Sequence, residues 1–293
     1  MKFLASRIKS RSFWSDALRR LLEDNYAIFS FLIIVAYAAL AVSVKAGWLA
    51  DDWRTSIGPS RLAPDLSQDW RFWLGLDVHG YSVSMKVLQG TYTAMYVGVM
   101  TSLIAIPIGV VLGALAGYFG GWIDDVITWF YTMLSNIPDI LLLVAIAFAL
   151  GKGIFSVNVA LGITTWVSLA RLVRGEVIKH KNREYVQAAA ALGAGHLRRI
   201  RHIMPNVLHI VIISFSLRFV TAIKSEVILT YLGLGAQSGS ASWGLMIDDS
   251  KSELMSGVWW NLAGATGAMF FICLAFSLFA DSLRDAFDPK LRT

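Results

Sequence analysis

The chain has 293 residues, of which 56% are hydrophobic and 16% charged, with a mean hydropathy of +0.59. That is too apolar for a soluble domain of ordinary makeup and points to a membrane protein. The net charge of +6 does not indicate a nucleic-acid partner, because the basic residues are not gathered into an aromatic-interleaved face. A single cysteine, Cys273, excludes a disulfide framework, a Cys-based zinc site or a paired redox motif within the chain.

Residues 1–25 form a basic lead with Lys2, Arg7, Lys9, Arg11, Arg19 and Arg20. The charged stretch is long for a signal peptide and several spans follow it, so the first helix is expected to be retained. Six runs approach or exceed the roughly 20 apolar residues that cross a bilayer, which predicts an all-α membrane protein with six transmembrane helices. The first span occupies about Tyr26–Val44, within residues 26–46. An external loop, 47–86, leads into a five-helix core, 87–280. Within it the second span lies inside Val87–Ile123, the third is Val126–Leu150, the fourth Ile154–Ala170, the fifth about Val207–Leu234 and the sixth Val258–Ala280. Residues 281–293 form a C-terminal tail.

Six crossings put both termini on one side, with the loops after spans two and four. That side holds seventeen Lys and Arg, including Arg171, Arg174, Lys179, Lys181, Arg183, Arg198, Arg199 and Arg201 in the fourth loop; the other side holds seven. The positive-inside rule therefore places both termini in the cytoplasm. The external loop is rich in Trp, Asp and Pro, among them Trp48, Trp53, Pro64, Asp69, Trp70 and Trp73. It reads either as a connector with interfacial anchors or as a partner-docking surface.

Gly109, Gly113 and Gly117 recur every fourth residue in the second span, which clears one helix face for a close neighbour. Pro107 and Pro138 each remove a backbone hydrogen bond, so a kink is expected at both.

No catalytic constellation is present. Gly151-Lys152-Gly153 lacks the spacing of a phosphate-binding loop, and His196, His202 and His209 do not share a helix face or a metal-binding pattern. Ser238 and Ser240 lack the Gly-x-Ser-x-Gly elbow of a hydrolase. No metal and no cofactor is expected on this chain. Charges inside spans carry more information, since a lipid-facing carboxylate at mid-membrane costs roughly 2.5 to 3.5 kcal/mol. Asp139 and Glu226 are accordingly expected to face protein or water, and both are candidates for a solute pathway. For Arg218, Lys224 and Glu226 the alternative is mutual neutralisation or snorkelling to an interface.

The fourth loop contains "REYVQAAAALGAGHLRRIRHIMPN", Arg183 to Asn206. Helix formers run from Glu184 to Leu192 around four alanines, Ala188 to Ala191, and Gly193 can end that helix in a left-handed turn. A second basic stretch, His196 to His202, leads to Pro205, placed in the first turn of the fifth span. The expected product is a thin helix at the cytoplasmic mouth, narrow enough to seat in a cleft of another protein. An ordinary positive-inside loop would explain the arginines, but not the alanine quartet followed by Gly and Pro.

This segment resembles the EAA loop of ABC-importer permease subunits, with Ala188, Ala189 and Gly193 on the motif and Met204-Pro205 in place of Leu-Pro. Gln187 stands where the motif's Glu is usual, and the stretch from Gly193 to Pro205 is about one residue short. Three further motifs resemble the dipeptide, oligopeptide and nickel permease group. They are Gly75, Asp77 and Gly80 before the second span, with Tyr81-Ser82 where Arg-Asp is usual; Glu226 with Leu232-Gly233-Leu234-Gly235 and Ser242-Trp243-Gly244; and Asp281, Leu283, Arg284, Asp285, Asp288, Pro289 and Leu291.

The resemblance implies a type I ABC importer permease fold in a bacterial inner membrane, with residues 171–204 as the cytoplasmic coupling segment. It implies a second homologous permease, two cytoplasmic ATPase subunits that carry ATP and Mg, and an extracytoplasmic solute-binding protein as partners, with membrane lipid around them. Coupling to the ATPases would run through Glu184, Gln187, Ala188, Ala189, Gly193, Arg198, Arg199 and Pro205. Import is favoured over export, and peptides are the expected solutes. A stand-alone channel or secondary transporter without an ATPase is the competing class; a membrane enzyme would need a nucleophile or metal set.

Overall fold

The computed structural model describes residues 13–237 and 239–287. Lys2, Arg7, Lys9, Arg11, Ser238, Asp288, Pro289, Lys290, Leu291 and Arg292 lie outside the described residues. Eleven α-helices follow one another in the described part: α1 Phe13–Glu23, α2 Asn25–Lys45, α3 Val83–Phe119, α4 Gly121–Ser135, α5 Asp139–Leu150, α6 Ile154–Thr164, α7 Trp166–Lys181, α8 Glu184–Ala191, α9 His196–Tyr231, α10 Trp243–Met255 and α11 Trp260–Phe287. Their starts follow local chemistry. Asp24 accepts from the Tyr26 N–H at 2.9 Å to cap α2, Ser82 caps α3 through the Met85 N–H, and Ser242 caps α10 through the Leu245 N–H.

Five segments are long and apolar enough to cross a membrane: α2, α3, the joined α6–α7 pair, α9 and α11. The sixth crossing differs from expectation. The run Val126–Leu150 is not one helix but α4 and α5, bent by 91° where Pro138 interrupts the chain. At 1.5 Å per residue α4 is about 22 Å long and α5 about 18 Å, so neither covers a core of roughly 30 Å alone. Together they still connect the two ends of the bundle. Asp124 at the start of α4 is bound by Arg174 of α7, whose backbone lies against Gly117 at the close of α3, whereas Gly153 beyond α5 donates its N–H to the Leu234 carbonyl just past the far end of α9. A re-entrant loop would have returned to the side it left.

The second proline behaves otherwise: α3 runs for 37 residues through Pro107 without a break. It is the central helix of the fold, packed on α2, α6, α7 and α9. Its stripe of Gly109, Gly113 and Gly117 lies against the backbone of α7, where a Cβ on Gly113 would stand 2.6 Å from the Ala170 carbonyl oxygen. Farther along, Gly98 leaves room for the Phe219 ring, which stacks on Phe276 of α11 at 4.0 Å.

The connection between α2 and α3 folds onto the starts of α3 and α11 rather than trailing as a free loop. The Trp260 indole donates to the Leu76 carbonyl at 2.8 Å, and Leu76 is fully enclosed. Trp48 and Trp73 remain exposed, as rings at a headgroup level would be.

Candidate functional site

The segment between the fourth and fifth crossings is built as a short bracket between two long helices. The α7 helix ends at Lys181, α8 begins at Glu184, and α9 starts at His196. One residue anchors α8. Val186 is 3% exposed and packs with Val173, Val177, Ile203 and Val207 in a cluster that Tyr118 of α3 completes. The expected terminator is in place: Gly193 has φ +79°, the Gly193 N–H bonds the Ala190 carbonyl and the Ala194 N–H bonds the Ala189 carbonyl. This is the left-handed closure that a side chain would strain.

Polar contacts fix the bracket's angle. Tyr185 shares a 3.1 Å hydrogen bond with His180 and receives another from Asn206 at 3.3 Å, joining α7, α8 and α9. Partial burial pushes the Tyr185 hydroxyl upward from its ordinary pKa, which keeps it protonated for these bonds. Tyr118 meets His196 at 3.1 Å and carries Lys181 and Arg199 over its ring. The outward surface is left free: Glu184, Gln187, Ala188, Gly193, Arg198 and Pro205 are exposed, and Ala189 and Arg199 partly so. Leu192 and Leu197, 88% and 83% exposed, flank the turn. Two bare leucines beside a smooth alanine surface form a patch suited to a protein contact.

Pro205 is not in a first turn, as the sequence suggested. The α9 helix begins nine residues earlier, absorbs the basic stretch His196 to His202, and continues for 36 residues, about 54 Å. A single rod therefore runs from the bracket across the bundle. Pro205 removes only one N–H from a ladder that is otherwise kept.

The charges in the fifth crossing do not neutralise one another. Arg218 donates to the Thr165 carbonyl and to Ser168 Oγ, the latter at 3.0 Å, at the break between α6 and α7. Glu226 is 1% exposed and accepts from Thr230 at 2.8 Å, so it is enclosed by protein. Lys224 is exposed and has no hydrogen bond or ion pair with any described residue. Asp139 is exposed in the first turn of α5, at the bend.

At the opposite end of the bundle lies a cluster that sequence reasoning missed. Lys86 is 6% exposed, bonded to Asp77 at 3.1 Å and 3.6 Å from Asp249. Asp77, 1% exposed, also accepts the His79 and Tyr81 N–H groups. Glu253 accepts from Asn261 at 2.8 Å, and burial pushes its carboxyl up from the ordinary glutamate range. Its members come from the 47–86 connection, α3, α10 and α11; Asp77 in a Gly-x-Asp-x-x-Gly stretch was the available signal. Among the described residues no group of His, Cys, Asp and Glu could hold a metal ion.

Residues 109–293 match the family described as binding-protein-dependent transport system inner membrane component. The chain is 37% identical over 287 residues to the dipeptide transport system permease protein DppC of Bacillus subtilis strain 168, covering 97% of this chain and 88% of that one. It is 33% identical to the oligopeptide transport system permease protein OppC of the same organism, over 97% and 92% of the two chains. A glutathione transport system permease protein, GsiD of Pectobacterium atrosepticum, is 32% identical over 97% and 93%. A bundle of long apolar helices, an exposed bracket joined to one long helix, and matches along almost the whole length agree: the chain belongs to the binding-protein-dependent inner-membrane components, as a permease subunit of the peptide-type ABC importers.

Proposed function

We propose that this chain forms one half of a pore for short peptides or peptide-like solutes, driven by ATPase subunits that seat on α8. The observation that carries the reading is mechanical. The α8 helix presents Gln187 and Ala188 outward, with Leu192 and Leu197 beside them, and is joined through a four-residue link to the 36-residue helix α9. A displacement of α8 by a partner is thus delivered to the fifth crossing along a stiff element, which is what coupling between two sites requires. The assembly in this reading contains a second related permease, two cytoplasmic ATPases holding ATP and Mg, and an extracytoplasmic binding protein. Both termini and α8 face the cytoplasm, in keeping with the seventeen-to-seven distribution of Lys and Arg. The similarity to dipeptide, oligopeptide and glutathione permease proteins supports peptide cargo.

Reconstitution of the chain with its partner subunits in proteoliposomes tests the reading, with ATP-dependent uptake of a labelled dipeptide as the measurement. Gly193→Trp strains the φ +79° turn and fills the surface beside Leu192, so uptake and ATPase co-purification should both fall. A chain that never co-purifies with an ATPase, with uptake unaffected by Gly193→Trp, would establish a stand-alone transporter instead.

A further inference from the structure

The α9 helix leaves one face uncovered along the membrane. Its exposed positions there are Leu217, Thr221, Lys224, Ile228 and Tyr231, spaced four, three, four and three residues apart, which is one straight stripe on a helix. Lys224 sits seven residues, about 10 Å, from the Tyr231 end of the helix. That is far for its ammonium to snorkel to the interface. The neighbouring charges Arg218 and Glu226 are enclosed and hydrogen-bonded, whereas Lys224 has no hydrogen bond or ion pair with any described residue. A cation without a counter-ion on an outward face cannot rest against lipid; it requires water or a polar partner.

Both ends of the stripe lead somewhere. At Tyr231 the ammonium of Lys251 sits 3.5 Å from the ring centroid and also pairs with Asp248 at 2.6 Å. At Leu217 the stripe opens into a cavity of about 570 Å³ between α7, α9 and α11, with Lys179, Arg183 and Arg284 among its lining. Two of its five positions, Leu217 and Ile228, are apolar, and of the cations along it Lys251, Lys179 and Arg284 pair with Asp248, Glu176 and Asp281, which leaves Lys224 without a carboxylate among the described residues. We propose that this stripe is the chain's wall of the solute path, and that Lys224 receives the α-carboxylate of a peptide in transit. The proposal rests on the peptide-importer reading above and assigns the solute's anionic end to one residue.

The test uses the assembled complex with Cys273→Ser in this chain, so that no other thiol of this chain competes and labelling of this subunit alone is read. Lys224→Cys should react with a permanently charged, membrane-impermeant methanethiosulfonate reagent, and a transported dipeptide should slow that reaction. Lys224→Met should lower uptake of a dipeptide with a free carboxylate by about ten- to a hundredfold, the range for one charge-assisted hydrogen bond, with Lys224→Arg restoring most of it. Should Lys224→Cys fail to assemble, Thr221→Cys, one turn away on the same stripe, reports the same path. An unreactive thiol at both positions in an assembled complex overturns the proposal, because the face is then sealed against lipid or protein. Loss of the partner permease from Lys224→Met also overturns it, assigning Lys224 to the subunit seam. A wild-type complex that moves no peptide defeats the peptide reading, while an unreactive stripe in a complex that does move peptide defeats this inference alone.

Discussion

Replacing Gly113 by alanine tests whether the α3–α7 contact sets the geometry of the bundle. The added Cβ would lie 2.6 Å from the Ala170 carbonyl oxygen and 2.9 Å from Val173 Cβ. Ordinary contact begins at 3.4 Å, so α7 must retreat by about 0.8 Å in an interior packed too densely to yield for free. The atoms met are backbone and a β-branched carbon, neither of which can swing aside. Overpacking of this kind costs about 1–3 kcal/mol. Against it stands the gain of alanine over glycine in a helix, up to about 1 kcal/mol. Gly175 in α7 separates the two effects, because a Cβ there meets nothing within 4 Å. Gly175→Ala should keep the propensity gain alone, so the difference between the two variants isolates the clash. Unfolding of the purified chain in detergent, followed through its 11 tryptophans, should place Gly113→Ala below Gly175→Ala by about 1–3 kcal/mol. Gly109→Ala, whose nearest contacts are at 3.0 Å, should fall between them. Equal stability of Gly113→Ala and Gly175→Ala would refute the argument that glycine is needed for this close approach.

Lys86→Met leaves Asp77, 1% exposed, with only two backbone N–H donors, and should cost about 3–5 kcal/mol in the same unfolding assay; adding Asp77→Asn should recover much of the loss. Glu253 holds its proton to higher pH in the folded chain than in the unfolded one, because burial raises its pKa above the ordinary 4.5. The unfolded state therefore releases that proton first, and stability should decline as pH rises from about 4.5 through the raised folded value. Glu253→Gln should flatten that slope in a pH series of unfolding curves. Asp139→Asn should depress uptake of dipeptides bearing Lys or Arg severalfold relative to neutral ones, measured by competition in proteoliposomes; an unchanged profile would remove Asp139 from the solute path.

Much of this protein could be read from the sequence because the bilayer imposes one-dimensional rules. Its thickness fixes how long an apolar run must be, and that located α2 and α3 to within a few residues, whereas α9 also takes in the basic stretch before Pro205 and α11 runs on to Phe287, seven residues into what reads in the sequence as the C-terminal tail. The glycine stripe at every fourth position foretold the close contact of α3, and Gly193 foretold the end of α8, because each depends on a local backbone need. The motifs around Gly193, Asp77, Trp243 and Arg284 were sufficient to name the family. Tertiary structure decided the rest. Two prolines in apolar runs had different outcomes: Pro107 stays within the unbroken helix α3, which packs on α2, α7 and α9, while Pro138 stands at a 91° bend. Pro205 likewise sits inside α9, packed beside Val207 and Ile203 in the cluster that seats α8. The three charges of the fifth crossing cannot be ranked from composition. Arg218 is bonded across to the α6–α7 break by partners some fifty residues away, Glu226 is enclosed and bonded by Thr230 one turn on, and Lys224 is exposed with no partner among the described residues. The cost of a charge in a membrane is read from the chain, but what relieves that cost is decided by whatever the fold brings alongside.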